Sequence, residues 1–92
     1  MLSIVEKRND GWAVVAGVHP LVGTHGLPLE DILIYLHQNK MIVDWIDYIV
    51  CARRDGASFR TIKAKIEAAA SEVYKHAEFD QFMERLNKVI TL

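Results

Sequence analysis

The most apolar stretch of the chain runs from Met41 to Ala52, MIVDWIDYIVCA, where ten of twelve residues are apolar or aromatic. Only Asp44 and Asp47 interrupt it, and their spacing of three places both on one narrow stripe of a helix. A helix that is apolar around most of its circumference is buried by its neighbours or by a partner chain. The run is shorter than the roughly 20 apolar residues needed to cross a bilayer. We therefore predict that residues 41–52 form the core helix of a small domain, with the two aspartates facing water.

Three further amphipathic helices are predicted from apolar positions that recur every three or four residues. The first begins at Pro28, because proline is tolerated in the first turn, the next follows Ser58 as N-cap, and the last begins near Ala77. Their predicted buried stripes are Leu29, Ile32, Leu33 and Leu36; Phe59, Ile62, Ile66, Ala69 or Ala70 and Val73; and Phe79, Phe82, Met83, Leu86, Val89 and Ile90.

The N-terminal part has the pattern of strands rather than helices. In residues 1–18, β-favouring residues flank Asn9-Asp10-Gly11, which predicts a hairpin closed by a type I′ turn. Residues 19–27 contain one proline and two glycines and predict a loop. The expected fold is α+β and predominantly helical, an N-terminal β-hairpin followed by a compact four-helix unit. We expect one domain over residues 1–92, with the hairpin at 1–18, the loop at 19–27 and the helical part at 28–92.

Composition narrows the class of protein further. Half of the 92 residues are apolar, which argues against disorder, and the net charge of −1 gives no general attraction to nucleic acid. Cys51 is the single cysteine and cannot form an internal disulfide, so we expect an inert core thiol in a reducing, cytoplasmic protein. The N-terminus lacks the pattern of a signal peptide, and we expect no association with membranes.

Carboxylates and histidines are the first candidates for chemistry. Asp44 and Asp47 could act as an acid and base pair, but negative charge also stabilises the first turn of a helix. His19 and His25 lie six apart in the predicted loop, and no zinc-binding spacing occurs among the histidines and Cys51. We therefore expect no metal site and no cofactor, and keep a small enzyme built on His19 and His25, with Asp44 or Asp47, as a minor alternative.

A basic cluster lies around the turn between the second and third predicted helices: Arg53, Arg54, Arg60, Lys63 and Lys65. The segment from Asp55 to Ile66 resembles the G-x-S-x-x-x-I opening of helix-turn-helix units, with Val73 at the position of a second apolar anchor. The resemblance covers some twenty residues and departs from the pattern at Lys63 and Glu67, where small residues are usual. The resemblance implies a nucleic-acid-binding regulator. The alternative explanation is that the same cations simply form a charged helix face in contact with water.

The amount of apolar surface favours self-association. The short chain carries four amphipathic helices and a valine-rich hairpin. It also carries tryptophan and tyrosine side chains, a type of large ring with a polar atom that is enriched at interfaces. The exposed edge of a hairpin can also pair with a second copy. We therefore expect a small non-catalytic interaction module, acting as a homodimer or on a protein partner. The expected contact residues are Trp12, Trp45, Tyr48 and Ile49.

Overall fold

The protein contains a small sheet and a set of helices packed on it. A computed structural model describes residues 2–90, and of His76 and Ile90 it describes the backbone alone. The elements are β1 (Ser3–Lys7), β2 (Ala13–Ala16), α1 (Val18–Gly23), α2 (Leu29–Gln38), β3 (Met41–Val43), α3 (Trp45–Arg54), α4 (Phe59–Val73) and α5 (His76–Ile90). The predicted α+β, mostly helical class is confirmed, although the described residues form three strands and five helices. Met1, residues 91–92 and the side chain of Ile90 lie outside the described part.

The N-terminal hairpin forms, but its turn differs from the prediction. The N–H of Gly11 donates to the carbonyl of Arg8 (3.2 Å), and the Arg8 N–H donates to Trp12 (2.7 Å). Gly11 has a φ of 89°, and among residues 2–90 the only non-glycine residue with a positive φ is Lys40. A type I′ turn needs two consecutive positive φ angles, so the type I′ prediction is wrong. The pattern is that of a type I turn followed by a left-handed glycine.

The run from Met41 to Ala52 is not one helix, and this prediction is corrected. Residues 41–43 form β3, which pairs in parallel with β2, so the sheet order is β1-β2-β3. The helix begins only after Asp44, whose carboxylate accepts a hydrogen bond from the Asp47 N–H (3.2 Å) and caps α3. The β-branched pair Ile42-Val43 suits a strand, and the parallel connection from β2 runs through α1 and α2.

The predicted loop at 19–27 contains a helix instead. Helix α1 begins directly after Gly17, whose φ of 90° turns the chain sharply at the end of β2. Pro20 lies in the first turn of α1, where a missing N–H removes no helical hydrogen bond. Of this segment, only the part after Gly23 is irregular. The proline therefore lies within a short helix and Gly23 ends it, and the residues do not form one continuous loop.

The core confirms most of the predicted stripes. All four predicted residues of α2 are buried, as are Ile62, Ile66, Ala69 and Ala70 of α4. The α2 residues and Ile62, Ile66 and Ala69 form one core cluster with Val15, Val18 and Leu86. Ser58 caps α4 as predicted, its hydroxyl accepting from the Thr61 N–H (3.2 Å). Phe59 departs from the prediction, because 46% of it is exposed. No helix within residues 2–90 is long and apolar enough to span a bilayer.

Candidate interaction surfaces

The structure divides the four predicted contact residues into two pairs. Tyr48 and Ile49 are only 2% and 6% exposed and belong to the core of the subunit, so they are not available for a contact with another chain. Trp12 and Trp45 are half-buried and line a pocket. The prediction is corrected for Tyr48 and Ile49, because the part of α3 that carries them faces the other helices.

The opposite side of α3 carries the exposed apolar residues of that helix. Ile46 is 56% exposed and Val50 is 44% exposed, and their spacing of four places them one above the other. Near the C-terminus of α3 the guanidinium of Arg53 lies 4.6 Å from the centre of the Phe59 ring and donates to the Ala57 carbonyl (3.3 Å). We call the surface formed by Ile46, Val50, Arg53, Arg54 and Phe59 the α3 face.

Asp44 and Asp47 are half-buried and have structural partners, which corrects the prediction that they face water. Asp44 caps α3, and Asp47 Oδ2 accepts from the backbone N–H of Gly17 (3.0 Å), thirty residues away in sequence. Asp47 Oδ1 accepts from Cys51 Sγ (3.9 Å). The pair therefore joins the start of α3 to the corner between β2 and α1.

Cys51 is a free cysteine in a setting that disfavours the thiolate. Desolvation, together with the nearby Asp47 carboxylate, raises the pKa of the thiol above its ordinary value of 9.0, while Arg54 acts in the opposite direction. The thiol is therefore protonated at neutral pH, and a protonated thiol is a poor nucleophile.

The histidines of the minor enzyme alternative are held by different neighbours. His19 Nδ1 lies 3.6 Å from Asp55 Oδ2, and its ring meets the edge of Tyr48 at 5.1 Å. His25 is exposed beyond the end of α1. The aspartate beside His19 is thus Asp55, which the sequence did not single out. Within the described part of the chain no three side chains of the metal-binding types come together as a site.

The basic cluster is spread over two helices, and four of its five members are exposed while Lys63 is half-buried. Arg53 and Arg54 end α3, while Arg60, Lys63 and Lys65 lie on α4, where Lys65 is about 140° around the helix from Arg60. Helix α4 runs unbroken from Phe59 to Val73, so the inner turn of a helix-turn-helix unit does not form within these residues. Within α4, Arg60 and Lys65 therefore do not share one face of the helix.

One cavity is lined by aromatic rings from five segments of the chain, and we call it the ring pocket. Its volume is about 300 Å³, and it lies between the hairpin turn, β3 and α5. Neighbouring rings follow one another around its wall, with centroid distances of 5.5 Å for Trp12–His37, 5.6 Å for His37–Tyr74, 5.0 Å for Tyr74–Phe82 and 5.5 Å for Phe82–Trp45. Ile42 and Val43 complete the apolar lining.

Charged and polar side chains also line the ring pocket, and their charges balance. Arg8 and Asp10 form an ion pair at 3.0 Å, and Glu78, Gln81 and Arg85 lie on α5. Burial raises the pKa of the Tyr74 phenol above its ordinary value of 10.0; Glu78 adds to this effect and Arg85 opposes it. Tyr74 is therefore a neutral hydroxyl at physiological pH, able to donate and accept hydrogen bonds.

Sequence reasoning missed most of the ring pocket. Phe82 was predicted only as part of a buried helical stripe, and His37 and Tyr74 were assigned to no site, because nothing in their spacing relates them to Trp12. The sequence signal for the ring pocket is the prediction of Trp12 and Trp45 as contact residues, because both of them line it.

Comparisons with protein-family models, with curated proteins and with solved structures give no match to this chain.

Proposed function

We propose that this chain is a small non-catalytic interaction module that forms a twofold homodimer through the α3 face. The observation that carries the proposal is the exposure of Ile46 and Val50, 56% and 44%, on a helix whose other side is fully packed. Apolar side chains stacked at the centre of an exposed helical face gain free energy when a second surface removes them from water.

Charge supports a second copy as the occupant. Helix α3 has Asp44 and Asp47 at its N-terminal end and Arg53 and Arg54 at its C-terminal end. In an antiparallel pair crossing near Val50, Arg53 and Arg54 of one copy come close to the negatively charged N-terminal end of the other copy's helix, and the helix dipoles also oppose each other. A twofold interface makes each such contact twice, so a single favourable pair counts on both sides of the axis.

The edge of the sheet supports pairing less well than the α3 face. Ile4 pairs with Val15 and Glu6 with Val14, so Val5 is an extra residue that forms a β-bulge in β1. Bulges and charged side chains on an edge strand disfavour the addition of another strand, and β1 ends with Glu6-Lys7. We therefore assign the contact to α3 rather than to β1.

The proposal includes a reducing, cytoplasmic setting and no catalytic role. Support comes from the single, unpaired Cys51 with its raised pKa, and from the structural roles of Asp44 and Asp47. We do not carry the nucleic-acid alternative forward, because Arg60 and Lys65 lie on different faces of α4 and the inner turn of a helix-turn-helix unit does not form within that helix.

Light scattering after size-exclusion chromatography tests the dimer. Wild type should have a mass of twice 10.5 kDa at micromolar concentration. Val50→Glu places two carboxylates together across the twofold axis and should weaken dimerisation about tenfold or more. Arg54→Glu should weaken it less and should reduce its dependence on salt.

Ile34→Glu is the matched control, because Ile34 is a 40% exposed isoleucine on α2 that lies outside the α3 face. This variant should remain dimeric. A monomeric wild type would overturn the proposed homodimer. A dimer that survives Val50→Glu but dissociates in Ile34→Glu would show that the contact uses α2 instead.

A further inference from the structure

We infer that the ring pocket is a binding site for an uncharged planar aromatic ring. Such a ring could belong to the side chain of a polypeptide or to a free heteroaromatic compound, and the chemistry of recognition is the same for both. The inference does not rest on the proposed dimer, because neither Ile46 nor Val50 is among the described residues that line the pocket.

The shape of the pocket suits one ring system. A volume of about 300 Å³ lies at the lower end of the range for small-molecule sites. The walls are a chain of rings in which each contacts the next, so the rings are held in place before a ligand arrives; in order they are Trp12, His37, Tyr74, Phe82 and Trp45. Aromatic rings attract a further ring in offset-stacked or edge-to-face geometry, and a preformed wall reduces the entropy lost on binding.

The balance of charge selects against ionic ligands. An aromatic cage for an organic cation is usually assisted by carboxylates, and here Asp10 and Glu78 would provide them. Arg8, however, is paired with Asp10 at 3.0 Å, and Arg85 lies on the same helix as Glu78. A cation would meet both guanidinium groups, and a phosphate would meet both carboxylates. A neutral ring encounters neither repulsion.

Polar groups in the lining favour a ring that carries hydrogen-bonding atoms. The Gln81 carboxamide and the Tyr74 hydroxyl can each donate and accept, and both line the pocket. A ring substituent that carries an N–H or a carbonyl can therefore be satisfied at the pocket wall while the ring faces contact apolar carbon. This arrangement of apolar walls with a few polar groups is typical of specific small-ligand sites.

Tryptophan fluorescence provides a direct test, because both tryptophans of the chain line the pocket. Two uncharged probes represent the two sources of a ring: N-acetyl-L-phenylalanine amide for a polypeptide side chain and adenosine for a free heteroaromatic compound. With excitation at the red edge, where neither probe absorbs, at least one should produce a saturable change with half-saturation on the order of 1 mM. The tighter probe identifies the source. Tetramethylammonium and inorganic phosphate should produce no saturable change.

Variants separate binding in the pocket from binding elsewhere. Trp12→Ala removes one wall and should raise the half-saturating concentration about tenfold or more, read from Trp45. Phe59→Ala is the matched control, because this exposed ring lies outside the pocket, and it should leave binding unchanged. Arg85→Gln, at an exposed position, is a second test that remains informative even if Trp12→Ala fails to fold. It should allow tetramethylammonium to bind, since the lining becomes net negative.

Three results would overturn the inference. One is the absence of a saturable change with both uncharged probes up to their solubility limits. Another is binding of tetramethylammonium to wild type more tightly than either neutral ring. The third is unchanged binding in a folded Trp12→Ala variant, as judged by circular dichroism.

Discussion

At the scale of single residues, Asp47 explains how the parts of this chain are joined. Its carboxylate accepts the N–H of Gly17, a residue whose φ of 90° turns the chain from β2 into α1. The same side chain lies in the first turn of α3, where negative charge is favourable. One residue thus stabilises a helix start and fixes a corner of the sheet, which is why a carboxylate stands within an otherwise apolar segment.

Replacing Asp47 should lower the free energy of unfolding. Asp47→Ala leaves the Gly17 N–H without its partner at a half-buried position, so the free energy of unfolding should fall by about 1–2 kcal/mol. Asp47→Asn keeps an acceptor oxygen and should lose about half as much. Urea denaturation measures the change in the free energy of unfolding. The protein concentration should be low enough that further dilution does not shift the urea midpoint, so that dissociation of a dimer does not contribute. Equal stability of Asp47→Ala and wild type would contradict this role.

Part of this residue-scale picture could be predicted from the sequence. Ser58 as a helix cap and the stabilising effect of Asp47 near a helix start follow from local spacing alone, since a cap bonds to groups two or three residues away. The bond from Asp47 to Gly17 could not be predicted, because it depends on the path of thirty intervening residues. Contacts of that range are set by tertiary packing, which short spacings do not record.

At the scale of elements, the division of the run from Met41 to Ala52 is the main departure from the sequence prediction. A short apolar run fits a buried strand and a buried helix equally well, so its periodicity cannot separate them. The strand is three residues long and gains its hydrogen bonds from β2, a segment that the prediction paired only with β1. The long helices α2 and α4 were predicted well because each repeats its apolar spacing over several turns.

The turn before β3 makes a prediction of its own. Lys40 has a φ of 56°, a left-handed conformation that costs a residue with a side chain about 1 kcal/mol, and its carbonyl accepts from the Ala13 N–H (3.0 Å). Lys40→Gly removes this strain and should raise the free energy of unfolding by up to about 1 kcal/mol. Glycine also increases the conformational entropy of the unfolded chain, which reduces this gain. Lys65→Gly, at an exposed position within α4, is the matched control and should lower stability by about 1 kcal/mol. Thermal or urea unfolding distinguishes the two, and equal destabilisation of both would show that the turn is not strained.

At the scale of the whole molecule, aromatic rings link the core to the ring pocket. From His19 the contacts pass to Tyr48, from Tyr48 to Trp45, and from Trp45 into the pocket wall, each with ring centroids between 5.1 and 5.5 Å apart. These rings come from α1, α3 and α5, and their meeting depends on how the helices pack, which the sequence pattern does not specify. The apolar character of each element could be predicted, whereas the cavity between them could not.

This arrangement predicts a loss of stability at alkaline pH. Burial raises the pKa of both Tyr48 and Tyr74 above the ordinary value of 10.0, with Glu78 adding to the shift at Tyr74. A raised pKa means that the folded state holds the phenol proton more tightly than the unfolded state does. The stabilising effect is therefore fully present below pH 10 and is lost as the pH rises through the raised values, by at most about 1.4 kcal/mol per pH unit for each tyrosine.

Tyr48→Phe isolates this effect because it removes a titrating hydroxyl while keeping the ring in a position that is 2% exposed. Strongly alkaline pH affects the rest of the protein as well, so the informative quantity is the difference between the variant and wild type. Urea unfolding at neutral pH and again above pH 10 should show a smaller fall in the free energy of unfolding for Tyr48→Phe. The matched variant Tyr35→Phe, at a position that is 55% exposed, should follow wild type. Identical pH dependence in all three proteins would mean that the buried phenol of Tyr48 ionises as readily in the folded chain as in water.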